Sequence, residues 1–167
     1  TNYYGFQKQK NKPTIQGKLE EALNILLDSY ELNYSGRTDA GVHAKSQIVN
    51  IKTAFVLDSK KINSLNKILG DSISVNSFKV VSDNFHARYG ATERTYKYLV
   101  RDSKSNYPHL NKNTYQYHSL LNLDDLNKVA KLFVGEYDFS SFAKIEKFNN
   151  PRRSILSSKW TKKNEIY

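Results

Sequence analysis

Three segments of the chain carry apolar residues at helical spacing. The apolar positions are Ile15, Leu19, Leu23 and Leu26 in residues 14–29, and Ile62, Leu65, Ile68 and Leu69 in residues 60–69. Because residues three or four apart share a helix face, both segments are predicted to be amphipathic helices. A third helix is predicted to begin after Asn122, a residue type that caps helix N-termini, and to end at Gly135.

Other segments alternate in polarity or are rich in β-branched and aromatic residues, which is typical of strands. They are residues 47–53, 73–81, 92–100 and 115–118, with shorter strand-like pieces at Trp160 and at Ile166–Tyr167. Because helices and antiparallel-type strands are interleaved along the chain, the predicted fold class is α+β. We expect helices to back a mixed or antiparallel sheet.

The charge of the chain favours a polyanionic partner. Its 167 residues include 26 Lys and Arg against 16 Asp and Glu, a formal charge of +10, and 12 of them are Tyr. Basic residues attract nucleic acid over a distance of about a Debye length, and aromatic rings stack on exposed RNA bases. A net positive charge can also be explained by solubility alone, without any nucleic-acid partner. RNA is therefore the first partner to consider, and DNA is not expected.

Several classes of function are excluded or unsupported. Without cysteine there is no disulfide and no thiolate zinc site, and the four histidines show no pair at metal-ligand spacing. The chain has no P-loop or dinucleotide motif, so we expect neither a metal nor a cofactor. It has no apolar run of about 18 residues and no leader pattern, so we expect a cytoplasmic protein without a membrane segment.

The most informative stretch is residues 35–44, which contain a carboxylate between two glycines. Asp39 lies between Gly36 and Gly41, two residues after Arg37. Glycine allows close approach of a ligand to the backbone, and a nearby cation favours the ionised form of a carboxylate nucleophile. An Asp in such a loop is also a common turn former. The spacing alone therefore leaves both interpretations open.

The run GRTDAGVHA, residues 36–44, resembles the active-site motif of the TruA family of tRNA pseudouridine synthases. Three further matches follow the family order: Asn2–Gln7 with Thr14–Gly17, Phe85–Arg88 with Arg94–Tyr98, and Gly135–Phe142 with a later Arg153-Ser154-Ile155. The resemblance extends over almost the whole chain. It implies the pseudouridine synthase fold, with the active site in a basic cleft between two related halves.

This resemblance assigns roles to residues. Asp39 would be the catalytic aspartate, and Arg37 would keep it ionised and contact RNA phosphate. Tyr96 would stack on the target uracil or form a hydrogen bond with it. Three other residues of the matched motifs are expected either to line the RNA path or to orient a loop: His43, Arg88 and Arg94. The expected substrate is uridine in the anticodon stem-loop, around tRNA positions 38 to 40, bound by a homodimer.

The resemblance also predicts how the chain is divided. Residues 1–105 would form an N-terminal catalytic half with the nucleophile loop, and residues 106–167 would begin a C-terminal half. Because the family has a strand before this start and an arginine-bearing third after this end, and the chain opens without Met, we expect a fragment. Two alternatives remain: a non-catalytic RNA-binding fragment of the same fold, and a pseudouridine synthase that acts on another RNA.

Overall fold

The computed structural model describes residues 2–105, 107–143 and 150–167. Within these residues it contains three α-helices and six short strands. In chain order they are α1 Ile15–Leu26, β1 Glu31–Tyr34, β2 Val49–Lys52, α2 Ser59–Leu69, β3 Val100–Arg101, β4 Tyr115–Gln116, α3 Leu123–Lys131, β5 Gly135–Asp138 and β6 Arg152–Ile155. The mixture of helices and strands agrees with the predicted α+β class. No helix among the described residues has the length and apolar composition of a membrane span.

The strands pair into three two-stranded sheets within the described residues, where a single sheet was expected. Strands β1 and β2 are antiparallel, with Glu31 opposite Lys52. Strands β5 and β6 are also antiparallel, with Gly135 opposite Ile155. Strands β3 and β4 are parallel over two residue pairs. The chain divides into two compact units, one ending at Arg94 and the other running from Thr95 to Tyr167.

The first unit has an apolar core between two helices. Buried leucines and an alanine of α1, α2 and the turn after α1 form it: Leu19, Ala22, Leu23, Leu27, Leu65 and Leu69. Each helix begins with a side-chain cap, because Thr14 Oγ1 accepts from the Gly17 N–H and Asp58 Oδ1 accepts from the Lys61 N–H. Both helices predicted from apolar spacing in this unit are confirmed.

In the second unit, α3 is capped as predicted but ends earlier than Gly135. The Asn122 side chain accepts from the N–H groups of Asp124 and Asp125. The helix stops at Lys131, and the following N–H groups of residues 132–134 donate to carbonyls three residues back. This tighter hydrogen bonding closes the helix, so Gly135, with a φ of 128°, begins β5 instead.

Two predicted strands are wrong, because alternating polarity supplies no hydrogen-bonding partner. Residues 73–81 form no ladder, and of residues 92–100 only Val100 belongs to a strand. The Asn66 side chain takes the place of a partner strand, since its amide bonds both the N–H and the C=O of Val75. Trp160 is not in a strand either, and its backbone bonds the Asn127 side chain in the same way.

The predictions for residues 47–53 and 115–118 are confirmed by β2 and β4. Near the end of the chain, Ile166 forms only isolated bridges. Three strands were not predicted: β1, β5 and β6.

Candidate active-site loop

The loop that contains Asp39 joins β1 to β2 and is closed at its base by hydrogen bonds. The Ser35 N–H donates to the Ile48 carbonyl at 2.9 Å, which extends the β1–β2 pairing by one step. The Gln47 side-chain amide donates to the Gly36 carbonyl, across the same base. The two ends of the loop are therefore held together, and residues 37–46 project from the hairpin.

A tight turn follows the candidate nucleophile. The Val42 N–H donates to the Asp39 carbonyl at 3.1 Å, and Gly41, the third residue of this four-residue turn, has a φ of 83°. A positive φ at this position is required in a type II turn and is adopted without steric cost by glycine. The geometry of this turn therefore explains why the second glycine of the motif, Gly41, is a glycine.

The segment Tyr4–Phe6 holds the loop on its other side. The Phe6 N–H donates to the Thr38 carbonyl at 2.9 Å. Gly5 lies so close to the loop that an added Cβ atom would be 2.7 Å from the Thr38 carbonyl oxygen and 3.3 Å from the Asp39 carbonyl carbon. Gly5 also has a φ of 88°. Glycine is therefore required here for both its backbone conformation and its lack of a side chain.

The same segment is bound to the first turn of α1. The Gly5 carbonyl accepts from the Ile15 N–H at 3.1 Å, and the Phe6 carbonyl accepts from the Gln16 N–H at 2.8 Å. These bonds satisfy helix-terminal N–H groups that have no partner inside the helix. The buried Phe6 ring lies 4.7 Å from the Tyr34 ring at the end of β1. The Asp39 loop is thus linked through two residues to the helix that forms the core.

Asp39 lines a cavity of about 330 Å³ with two cationic residues. The lining comprises the loop residues Arg37, Thr38, Asp39 and Ala40 together with Tyr4, Phe6, Gln7, Gln9 and Lys12. Asp39 and Arg37 are both exposed, and no ion pair within 4.0 Å joins them in the described part of the chain. The arrangement presents one carboxylate beside two cations, Arg37 and Lys12, in an open site.

Arg94 contacts the base of the Asp39 loop. Its Nη2 donates to the Ser35 carbonyl at 2.7 Å and to the Arg88 carbonyl at 3.4 Å. Nearby, the Ala87 N–H donates to Asn50 Oδ1 on β2 at 2.9 Å. Of the two roles expected for Arg94, this geometry matches the orienting of a loop. Arg88 itself is exposed, with its guanidinium carbon 5.7 Å from the centre of the Tyr89 ring.

Two candidate residues are not brought to Asp39 by any described contact. His43 is exposed, four residues after Asp39, and among the described residues its side chain has no hydrogen bond or ion pair. Tyr96 is 70% exposed and belongs to the second unit. Its proximity to Asp39 therefore stays a prediction. Within residues 2–105, 107–143 and 150–167, no three His, Asp or Glu side chains form a group suited to a metal ion.

Comparison with known proteins decides the family. No family model matches the chain. A tRNA pseudouridine synthase A of Dictyoglomus thermophilum is 39% identical over 170 residues, which cover 99% of this chain and 69% of that protein. The chain belongs to the tRNA pseudouridine synthase A family. This result confirms the family to which the resemblance pointed.

Other members of the tRNA pseudouridine synthase A family agree. The protein of that name from Caldicellulosiruptor bescii is 41% identical over 148 residues, covering 87% of this chain and 61% of its own length. The one from Borrelia hermsii is 35% identical over 167 residues, covering 98% of this chain and 68% of its own length. The chain therefore spans about two thirds of the length of these tRNA pseudouridine synthase A relatives.

Within this family context, two residues near Asp39 had no role in the sequence analysis. Gly5 was part of the matched opening motif, and only the distance to the Thr38 carbonyl reveals why it must be glycine. Lys12 lies outside every matched motif and reaches the cavity because residues 9–12 turn back on themselves. The sequence signal for Gly5 was its place in the motif, whereas Lys12 had none.

Proposed function

We propose that this chain isomerises uridine to pseudouridine in tRNA, with Asp39 as the nucleophile. The observation that carries the proposal is the exposed Asp39 carboxylate, which lines a cavity with Arg37 and Lys12 on a loop whose backbone is fixed. The relatives that cover most of the chain are named tRNA pseudouridine synthase A, and this name supports the same reaction here.

The reaction balances without any co-substrate. The bond between N1 of the base and C1′ of the ribose breaks, the uracil turns, and a bond forms between C5 and C1′. The C5 hydrogen leaves as a proton and N1 gains a proton, so the product is an isomer of the substrate. A carboxylate promotes this change either by attacking C1′ or by adding to C6 of the ring. Both routes need an ionised and accessible carboxylate, and the exposed Asp39 side chain meets the second requirement.

The neighbouring residues would bind and orient the RNA. Arg37 would bind a phosphate next to the target nucleotide, since a guanidinium forms paired hydrogen bonds with phosphate oxygens. Tyr96 would stack on the uracil once the base has left the helix. Arg94 would keep the loop in place through the Ser35 carbonyl. His43 and Arg88, both exposed, would line the RNA path.

The finer parts of the proposal follow from the family. The target uridines would lie in the anticodon stem-loop, around tRNA positions 38 to 40, and the enzyme would act in the cytoplasm as a homodimer without a cofactor. The chain would adopt the pseudouridine synthase fold, with residues 1–105 as the catalytic half and residues 106–167 as the beginning of the second half. The formal charge of +10 supports binding to a polyanion of this kind.

Release of tritium from tRNA labelled at C5 of uridine tests the proposal. The parent protein should release tritium, and Asp39→Asn should lower turnover by a factor of about 10³ or more, because an amide is a poor nucleophile. Affinity for tRNA should remain within about a few-fold, since phosphate contacts dominate binding. Asp28→Asn is the matched control, because Asp28 is an exposed aspartate of the same unit outside the cavity.

Other results would favour the alternatives. Binding of tRNA without tritium release by the parent would point to a non-catalytic RNA-binding protein of this fold. Release from ribosomal RNA fragments but not from tRNA would point to a synthase with another substrate. Equal turnover by the parent and Asp39→Asn would remove Asp39 from its proposed role.

A further inference from the structure

A short turn places a lysine beside the candidate active site. Residues 9–12 form a tight hairpin in which Gln9 and Lys12 pair as an antiparallel bridge, and Asn11 adopts a left-handed conformation with a φ of 60°. The Tyr4 backbone is bound on both sides of this hairpin: its N–H donates to the Pro13 carbonyl at 2.8 Å, and its carbonyl accepts from the Gln9 side-chain amide at 2.8 Å. The hairpin is therefore fixed to the segment that holds the Asp39 loop.

Three lysines alternate along this segment and differ in what they contact. Lys8 Nζ pairs with Glu20 Oε2 at 2.6 Å, and this hydrogen bond raises the pKa of Lys8. Lys10 is exposed and does not line the cavity. Lys12 lines the cavity, with its Nζ 4.9 Å from the centre of the Tyr4 ring. In the described part of the chain, no carboxylate lies within 4.0 Å of Lys12.

We infer that Lys12, held over the Tyr4 ring, binds a phosphate of the RNA strand next to the nucleotide at Asp39. This inference rests on the proposed function and adds a second phosphate site to it, beside that of Arg37. The cavity carries two cations against one carboxylate, so its local charge favours an anion. The ring attracts the ammonium through its electron-rich face, and this contact involves no oxygen acceptor. The N–H donors of Lys12 that point away from the ring remain available to phosphate oxygens.

The Tyr4 ring adds a second feature of single-strand recognition. It is 52% exposed, although its backbone is held by two hydrogen bonds. An exposed aromatic ring beside a cation is the combination by which proteins bind unpaired nucleotides, through stacking and phosphate contact together. Lys12 and Tyr4 would therefore act as one binding element in the lining of the cavity that also contains Asp39.

The salt dependence of tRNA binding tests this inference in the intact protein. Lys12→Gln should weaken binding of an unmodified tRNA transcript by about three- to tenfold and reduce the slope of log affinity against log salt by about 1, measured between about 50 and about 200 mM KCl. Lys10→Gln removes the same charge two residues away and should change affinity by less than about twofold. Tyr4→Phe should retain parental affinity, whereas Tyr4→Leu should approach Lys12→Gln, because only the ring holds the ammonium.

Equal effects of Lys12→Gln and Lys10→Gln would overturn the inference, because they would indicate general electrostatic attraction without a specific phosphate contact. Thermal unfolding of each variant should match the parent, which excludes loss of the hairpin as the cause. Carrying out the binding in the Asp39→Asn background separates the two proposals. A parent that binds tRNA but releases no tritium contradicts the proposed function and leaves the lysine comparison intact. An active parent whose two lysine variants bind alike contradicts only the Lys12 site.

Discussion

The two units of the chain are stabilised in different ways. The unit that ends at Arg94 has a continuous apolar core, in which Leu23 of α1 is fully buried. In the unit from Thr95 to Tyr167, the buried residues include the charged Arg101 and Asp102, while apolar side chains such as Leu132 and Phe142 are largely exposed. The first unit is held by packing of hydrocarbon and the second by polar contacts around a few buried groups.

The polar contacts of the second unit meet at its last residue. The buried Tyr167 hydroxyl donates to Asp102 Oδ2 at 2.8 Å and accepts from Lys162 Nζ at 2.6 Å. The Asp102 carboxylate also accepts from the Leu121 N–H at 3.2 Å. Arg101 is buried with two of its nitrogens bonded to the Gln116 side chain, and its Nη1 has no hydrogen-bond partner among the described residues. The hydrogen bonds of the Tyr167 hydroxyl and the Asp102 carboxylate depend on one another, because removal of one partner would leave another buried polar group unsatisfied, which is costly.

The comparison explains why the candidate nucleophile lies where it does. The Asp39 loop is exposed and has no core of its own, yet its backbone is bound through Gly5 and Phe6 to α1. A packed helix therefore supplies the rigidity that an exposed carboxylate needs to keep a productive geometry. The backbone of the candidate site is therefore held in place by its hydrogen bonds to a helix of the apolar core, which the second unit lacks among its described residues.

The largest expected effect is on the core of the first unit. Leu23→Ala should lower the free energy of unfolding by about 2 to 5 kcal/mol, because it removes buried methyl groups and leaves a cavity. Leu132→Ala is the matched control in the second unit, where the side chain is 72% exposed, and it should change stability by less than about 0.5 kcal/mol. Urea unfolding of both variants measures the difference. Similar losses would contradict the contrast between the units.

A smaller and pH-dependent effect is expected in the second unit. The hydrogen bond from Tyr167 is the main reason that the pKa of Asp102 lies below its usual range. A carboxyl group whose pKa is lowered by folding stabilises the folded state above its unfolded pKa of about 3.9, and this contribution is lost as the pH falls through the folded pKa. Tyr167→Phe should therefore lower the melting temperature at about pH 7, and the difference from the parent should shrink at about pH 3.

Tyr115→Phe serves as the control for this pH dependence, because Tyr115 is an exposed tyrosine of the same unit. It should unfold like the parent at both pH values. A constant difference between Tyr167→Phe and the parent across the pH range would mean that packing of the ring, and not the bond to Asp102, explains the loss.

The sequence predicted those features that depend on local pattern. The apolar spacing of α1 and α2 and the capping residue Asn122 were sufficient to locate three helices, because amphipathic spacing and caps act within a few residues. The motif around Asp39 was recognised in the same way, and the family is confirmed by the relatives.

Features that depend on distant partners could not be predicted. Residues 73–81 have the composition of a strand, but the Asn66 side-chain amide forms hydrogen bonds with both the N–H and the C=O of Val75. Such pairing between a side chain and the backbone leaves no periodic signal in the sequence. Likewise, the distance between Gly5 and the Thr38 carbonyl joins positions more than thirty residues apart in the sequence. The roles of Gly5 and Lys12 therefore required the folded structure.

The most direct test of the account is the rate of tritium release by Gly5→Ala compared with Gly70→Ala, under single-turnover conditions with saturating enzyme. Both glycines have a positive φ, 88° and 70°, so both substitutions introduce backbone strain of about 1 to 3 kcal/mol. Only the Cβ atom at position 5 would collide with the Asp39 loop. Apart from the adjoining residues, no atom in the described part of the chain lies within 4 Å of a Cβ atom at position 70. We expect Gly5→Ala to lose more stability than Gly70→Ala, because its Cβ also collides with the Thr38 carbonyl oxygen. At a temperature where both variants remain folded, Gly5→Ala alone should lose turnover by about 10²-fold, with little change in tRNA affinity. Equal turnover by two equally folded variants would contradict the claim that the core positions Asp39 through Gly5.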